Sequence, residues 1–206
     1  MNLKIHFISN ARYKINLMPK IVNHQEMRQG ILMVCFELFA KRGYEAVSVK
    51  DIAKAAEVST GTLYHYFKNK QAIFHALAEM AVDLDINDAK ESVAGLKTNR
   101  DRLESYVSFV KSREEFMIAE MLLITDFYRQ REVLDNSELI AKIGKKMKAQ
   151  IASFINSENQ ELIDFSLSFF MGLIMQRMVF GQEISFDKVA AMYIKLVELY
   201  LEKNES

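Results

Sequence analysis

Residues 48–70 read SVKDIAKAAEVSTGTLYHYFKNK, and two short helices start inside this stretch. Ser48 stands three residues before Asp51, a spacing that lets each side chain close on the other's backbone N–H, so a helix begins there and runs through Ile52, Ala53 and Ala56. Ser59 can cap a second helix over residues 60–67. The pair occupies about 20 residues with a three-residue turn between, the spacing of a DNA-binding helix-turn-helix. Leu63 and Phe67, four apart, can bury on the preceding helices, which leaves Thr60, Thr62, Tyr64, His65, Tyr66 and Lys70 as donors. Thr60, Gly61 and Thr62 are small enough to let backbone approach base edges, and Tyr64, Tyr66 and Lys70 can then hold phosphates. The plainer alternative packs both tyrosines on the next helix and leaves Lys70 in solvent.

Outward from this stretch the pattern stays helical. Met27, Ile31, Val34, Cys35, Leu38 and Phe39 recur at spacings of three and four from His24 onward, and Lys41, Arg42 and Gly43 end that helix. A fourth helix begins near Asn69 and runs to about Asp88. Thr98 with Asp101, Ser112 with Glu115, and Asp135 with Glu138 each place an N-cap oxygen three residues before a carboxylate. These pairs predict helices near 99–111, 113–131 and 136–156, followed by helices near 160–180 and, after Ser185, 186–203. One proline in 206 residues, and no strand-like alternation, make the fold all-α with about nine helices. Residues 1–22 hold that proline, Pro19, and no sustained period, so they read as a flexible extension, with Met18 a candidate native start. The expected domains are 23–70, the three-helix DNA-binding part, and 71–206, a helical domain.

The zero formal net charge hides a polarity. Residues 1–70 carry 11 Lys and Arg against 5 Asp and Glu, while the remainder carries 16 against 22. A basic first third suggests an anionic partner for that part, with double-stranded DNA leading. The lone Cys35 sits in an apolar run and forms no internal disulfide, which suits a reducing setting. The longest apolar run, residues 169–175, falls below the ~20 residues a bilayer span needs, so a soluble cytoplasmic protein with no membrane association is expected. His6, His24, His65 and His75 have no metal-ligand spacing, and neither a phosphate-binding glycine loop nor a nucleophile elbow is present. No metal, no cofactor and no catalytic residue is therefore expected, and carboxylates such as Asp126 and Glu120 read as surface charge.

Residues 28–77 closely resemble the tetracycline-repressor (TetR) family of bacterial transcription regulators. The resemblance is carried by Ile31-Leu32, Leu38-Phe39, Gly43-Tyr44, Val47-Ser48, Asp51-Ile52-Ala53, Val58-Ser59, Gly61-Thr62-Leu63-Tyr64, Tyr66-Phe67 and Lys70. It implies that the third helix is the recognition helix, with Thr60, Gly61 and Tyr64 at the groove and Ser48, Tyr64, Tyr66 and Lys70 on phosphates. It also implies a homodimer, a variable C-terminal domain that binds a small-molecule inducer, and pairing through the last two long helices. Family members usually carry glycine where this chain has Glu57; a left-handed conformation there costs a non-glycine residue ~1 to 2 kcal/mol.

The C-terminal residues add their own pattern. Phe165, Leu167, Phe169, Phe170, Met171, Leu173, Ile174, Met175 and Met178 make a helix apolar nearly all round, and Ser168 and Gly172 would let another helix approach closely. With Met192, Leu196 and Tyr200 this fits a four-helix dimer interface, although one large monomeric core fits it too. Met117, Met121, Ile124, Phe127 and Tyr128, with Met171, form the candidate ligand set, since Met and aromatic side chains re-pack around varied shapes; plain core is the commoner role of such a stripe. The function expected is a homodimeric repressor released from a palindromic operator by its inducer. The alternative is an architectural or division-control DNA-binding protein of the same fold, with a protein partner and no inducer.

Overall fold

The computed structural model describes residues 24–130 and 137–204, with backbone only for residue 82 and residues 84–90. The N-terminal extension and the Asp135 cap lie outside the described residues. Among those described there are nine α-helices and no strand: α1 (His24–Arg42), α2 (Val49–Ala55), α3 (Thr60–Tyr66), α4 (Lys70–Val93), α5 (Asn99–Ser112), α6 (Glu114–Arg129), α7 (Ser137–Ile155), α8 (Gln160–Phe180) and α9 (Phe186–Asn204). A 3₁₀ turn, Gly181–Glu183, joins the last two.

The chain divides into two compact units, Met1–Ala81 with Ala119–Ile140, and Val82–Ile118 with Ala141–Ser206. This differs from a linear boundary after residue 70, because the first turns of α4 and the segment 119–140 belong with the helix-turn-helix. Aromatic packing is the reason: Phe127 of α6 lies flat on Phe74 of α4, ring centroids 3.9 Å apart and 7° from parallel.

In the first unit Ile31, Leu32, Cys35, Phe36 and Phe39 of α1 are fully buried, together with Val47, Ile52, Leu63, Ile73, Phe74 and Leu77. The stripe on α1 is turned slightly from the expected one, with Leu32 and Phe36 inside and Val34 and Leu38 half-buried. Burial pushes the Cys35 thiol up to about 12. Ser48 forms the expected capping box, its Oγ accepting the Asp51 N–H at 3.1 Å and its own N–H donating to Asp51 Oδ2 at 2.8 Å. Those hydrogen bonds, with Arg42 a smaller contributor, hold the Asp51 carboxyl below its ordinary value. The box is therefore complete above the ordinary carboxylate range and weakens as pH falls through the lowered value.

The turn after α2 is a Schellman motif. Val58 N–H donates to the Ala53 carbonyl at 3.0 Å and Glu57 N–H to the Lys54 carbonyl at 3.3 Å. Glu57 occupies the left-handed position, φ 54°. Asn156, φ 51°, does the same after α7, where Ser157 N–H reaches the Ala152 carbonyl at 3.3 Å.

The second unit packs α9 on α5 and α8. Its core is aromatic: Tyr106 stacks on Phe154 at 4.6 Å and meets Phe170 edge-on at 4.8 Å, with Tyr193 4.8 Å from Phe170. Tyr193 donates its hydroxyl hydrogen to Ser166 Oγ at 2.8 Å, and Ser166 in turn donates to the Leu162 carbonyl at 2.8 Å. Thr98 caps α5 through the Asp101 N–H as expected. Ser112 does not cap α6; it is the last residue of α5 and turns its hydroxyl back to the Phe109 carbonyl at 2.9 Å, so α6 opens at Glu114. The helical segment Gln160–Glu183 is long and apolar enough to cross a membrane by length and composition. Within it, however, Arg177 is buried against Glu114 at 2.6 Å and Gln182 Oε1 at 3.3 Å, the arrangement of a core helix.

Because Glu57 holds a left-handed conformation, Glu57→Gly is expected to stabilise the first unit by up to ~1 kcal/mol. Denaturant unfolding measures this, and a destabilised variant would reject the assigned turn.

Candidate nucleic-acid interface

Helix α3 is built so that one side is spent on the core and the other left bare. Ser59 caps it, accepting the Thr62 N–H at 2.9 Å, and Ser59 Oγ shares a further hydrogen bond with Thr62 Oγ1 at 2.8 Å. Leu63 and Phe67 are buried. Thr60, Gly61, Tyr64 and His65 are exposed, Thr62 and Tyr66 half-buried, and Tyr64 keeps 54% of its surface in solvent. A Cβ on Gly61 would meet only Ser59 Oγ, at an ordinary 3.6 Å. The protein's own packing thus does not require glycine there, and its effect is to leave backbone uncovered on the outer side.

Lys70 is placed differently from a solvated lysine. Its Nζ donates to the Tyr44 carbonyl at 2.9 Å and the Val47 carbonyl at 3.0 Å, and lies 4.0 Å from the centre of the Tyr44 ring. Desolvation lowers its pKa, with Glu45 opposing. Two of the three ammonium donors are used on the α1–α2 connection. Ser48 is exposed, its hydroxyl hydrogen donated to Asp51 Oδ2 at 2.6 Å.

Two groups outside the quoted stretch come to the same helix. The His24 ring lies 4.4 Å from that of Tyr66 and 5.6 Å from that of His65, and the Arg28 guanidinium sits 4.9 Å over Phe67. Their signal in the sequence is faint: a histidine and an arginine one turn apart at the start of α1. Asp126 is also not the surface charge expected, since its side chain is 17% exposed and its Oδ2 accepts the Tyr44 N–H at 2.7 Å.

The remaining candidates fall on α6, α8 and α9. The buried residues of α6 are Phe116, Ile118, Ala119, Leu123 and Phe127. Met117 and Met121 are half-buried, while Ile124 and Tyr128 are exposed, Tyr128 by 60%. Met121, Ile124, Phe127 and Tyr128 belong to the first unit, Met117 and Met171 to the second. On α8, Phe165, Ser168, Gly172 and Met175 form an exposed stripe with Phe169 half-buried beside it, and Val179 extends the same 3-4 spacing. Met192 and Leu196 are exposed on α9 with Leu199, whereas Tyr200 is half-buried and its hydroxyl oxygen accepts from Asn159 Nδ2 at 3.0 Å.

Residues 31–77 match the family of bacterial regulatory proteins, tetR family. The HTH-type transcriptional regulator QacR of Staphylococcus aureus is 28% identical over 110 residues, 52% of this chain and 58% of QacR. A TetR-family transcriptional regulator from Rhodococcus sp. shares the fold with a TM-score of 0.67 at 22% identity, over 85% of this chain and 98% of that one. Residues 31–77 are thus similar to the N-terminal part of TetR-family regulators, and the whole chain shares the fold. A transcriptional regulator from Saccharomonospora viridis, solved in complex with choline, has a TM-score of 0.63 at 19% identity, over 87% of this chain and 97% of its own. The chain spans about half the length of the sequence relatives it matches, 58% for QacR.

Lys70→Ala removes both carbonyl bonds, and is expected to lower the unfolding free energy of the first unit by about 1 kcal/mol. If its third donor meets a phosphate, the salt slope of DNA binding also falls by about one per half-site. An unchanged denaturation midpoint would remove Lys70 from the turn, and an unchanged salt slope would remove it from the phosphates.

Proposed function

We propose that this chain is a cytoplasmic, homodimeric DNA-binding transcriptional regulator of the TetR family, a repressor that grips a palindromic operator and is released by a small-molecule inducer. The observation that carries the reading is the two-sided α3: Leu63 and Phe67 anchor it, while Thr60, Gly61, Tyr64 and His65 stand outside with backbone bare at the helix start. Thr60, Gly61 and Tyr64 lie at the groove, Ser48, Tyr64, Tyr66 and the remaining Lys70 donor take phosphates, and Ser59, Thr62 and His65 complete the DNA-binding set, with the basic bias of residues 1–70 drawing the duplex in. The test is selection of binding duplexes from a random-sequence pool. Recovery of an inverted repeat with half-sites about 34 Å apart supports the proposal, and a pool without enrichment rejects it.

Pairing is proposed through the apolar stripes of α8 and α9, which leave Phe165, Met175, Met192 and Leu196 in water in the single chain. A second copy related by a two-fold axis would cover them as a four-helix interface. An added Cβ at Gly172 meets nothing within 4 Å, so Gly172→Leu fits within the isolated chain. The variant is expected to fold, to sediment as a monomer and to lose operator affinity. A normal dimer would place the interface elsewhere.

The inducer is proposed to bind in the second unit, with Met117 and Met171 as candidate contacts; the S. viridis neighbour, solved with choline, supports the fold's capacity to hold a small molecule. Linkage sets the measurement: a compound that lowers operator affinity by some factor must itself bind more weakly by that factor when operator is present. Thermal-shift hits titrated with and without operator are expected to obey this equality. Hits indifferent to operator would reject the inducer model in favour of a protein partner.

A further inference from the structure

The α1–α2 connection, residues 43–48, carries Ser48 and sets where α2 and α3 begin, yet it contains no regular structure of its own. It is held from outside. Lys70 takes the carbonyls of Tyr44 and Val47, and Arg42 Nη2 takes that of Ala46 at 3.0 Å. The Tyr44 N–H is taken by Asp126 Oδ2 at 2.7 Å, across 82 positions of sequence. The same carboxylate oxygen would lie 3.5 Å from a Cβ on Gly43, so it sits directly against the backbone of the turn. Around it the rings form a continuous pile: Tyr44 stacks on Phe74 at 4.4 Å, and Phe74 on Phe127, the neighbour of Asp126, at 3.9 Å.

We propose that Asp126 is a positioning residue of the DNA-binding unit: by accepting the Tyr44 N–H it fixes the connection that presents Ser48 and seats the Lys70 ammonium, so that both meet phosphates in register with α3. The inference rests on the DNA-binding function proposed above. Asp126 touches no DNA itself. Its acceptor oxygen is the property that matters, because the part-buried Tyr44 N–H has to be satisfied for the turn to hold one geometry.

The test compares the full-length wild type with Asp126→Ala and Asp126→Asn, using a fluorescein-labelled duplex selected by the wild type, at 10 °C where folded protein is confirmed by circular dichroism. Asp126→Ala is expected to bind on the order of tenfold more weakly and to lose about one in salt slope per half-site, since a displaced turn sacrifices a phosphate contact. Asp126→Asn keeps an acceptor oxygen and is expected to restore most of both. A purely stabilising role would lower the melting temperature of Asp126→Ala and leave affinity and slope at 10 °C unchanged, which overturns the proposal. Equal losses in folded Ala and Asn variants overturn it as well, because charge and not the acceptor would then be at work. If Asp126→Ala does not fold, Asp126→Glu serves instead: it keeps charge and acceptor but moves the oxygen by one methylene. Weaker binding with a reduced slope is expected, and wild-type binding overturns the proposal. A wild type that selects no duplex defeats the DNA-binding function and this inference with it; a wild type that binds while the variants match it defeats the inference alone.

Discussion

A helix of seven residues closes too few hydrogen bonds to persist in water, and α3 is such a helix. Its existence depends on Leu63 and Phe67, one turn apart, being driven into the interior of the first unit, where Ile31, Leu32, Phe36, Phe39 and Ile52 are also buried. That burial fixes the rotation of α3 about its own axis. The side opposite the two anchors then has to face outward, and it carries small residues, hydroxyls and aromatic donors. Exposure of this polar side is thus a direct consequence of packing the other.

The local devices serve the same end. The Ser48–Asp51 box starts α2, the Schellman turn at Glu57 ends it, and Ser59 starts α3, so three capping arrangements within a dozen or so residues set the angle at which the anchored helix emerges. Glu57 bears a cost in this scheme that glycine would avoid.

Much of this was legible beforehand because it is local. Caps act over three residues, helix faces repeat every three or four, and both are written in the chain in order; hence Ser48, Ser59, Thr98, Ser185 and the boundaries of α8 agree with the structure to within a residue or two. What failed to show was non-local or degenerate. Ser112 has the right spacing for a cap, yet its hydroxyl found a carbonyl behind it first, as serine near a helix end readily does. Asp126 looked like any other surface carboxylate, since nothing in its neighbourhood announces a backbone N–H 82 positions away. Lys70 is recognisable as a cation beside α3, but its two carbonyl partners depend on a turn whose geometry is set elsewhere. The stack of Phe127 on Phe74 was hidden for the same reason: a helical stripe does not say which of its members a distant ring will meet.

The lone cysteine turns out to be a useful accident of packing. Cys35 has no solvent exposure and its thiol is pushed to about 12, so almost no thiolate exists at neutral pH and no reagent can reach the sulfur in the closed protein. Labelling must therefore wait for the first unit to open, and the chain has no other thiol to contribute background. The rate at which a thiol-specific dye reacts, compared with the rate for the unfolded chain, gives the fraction of time the DNA-binding unit spends open. The protein carries an intrinsic clock for its own breathing, readable without any engineered probe.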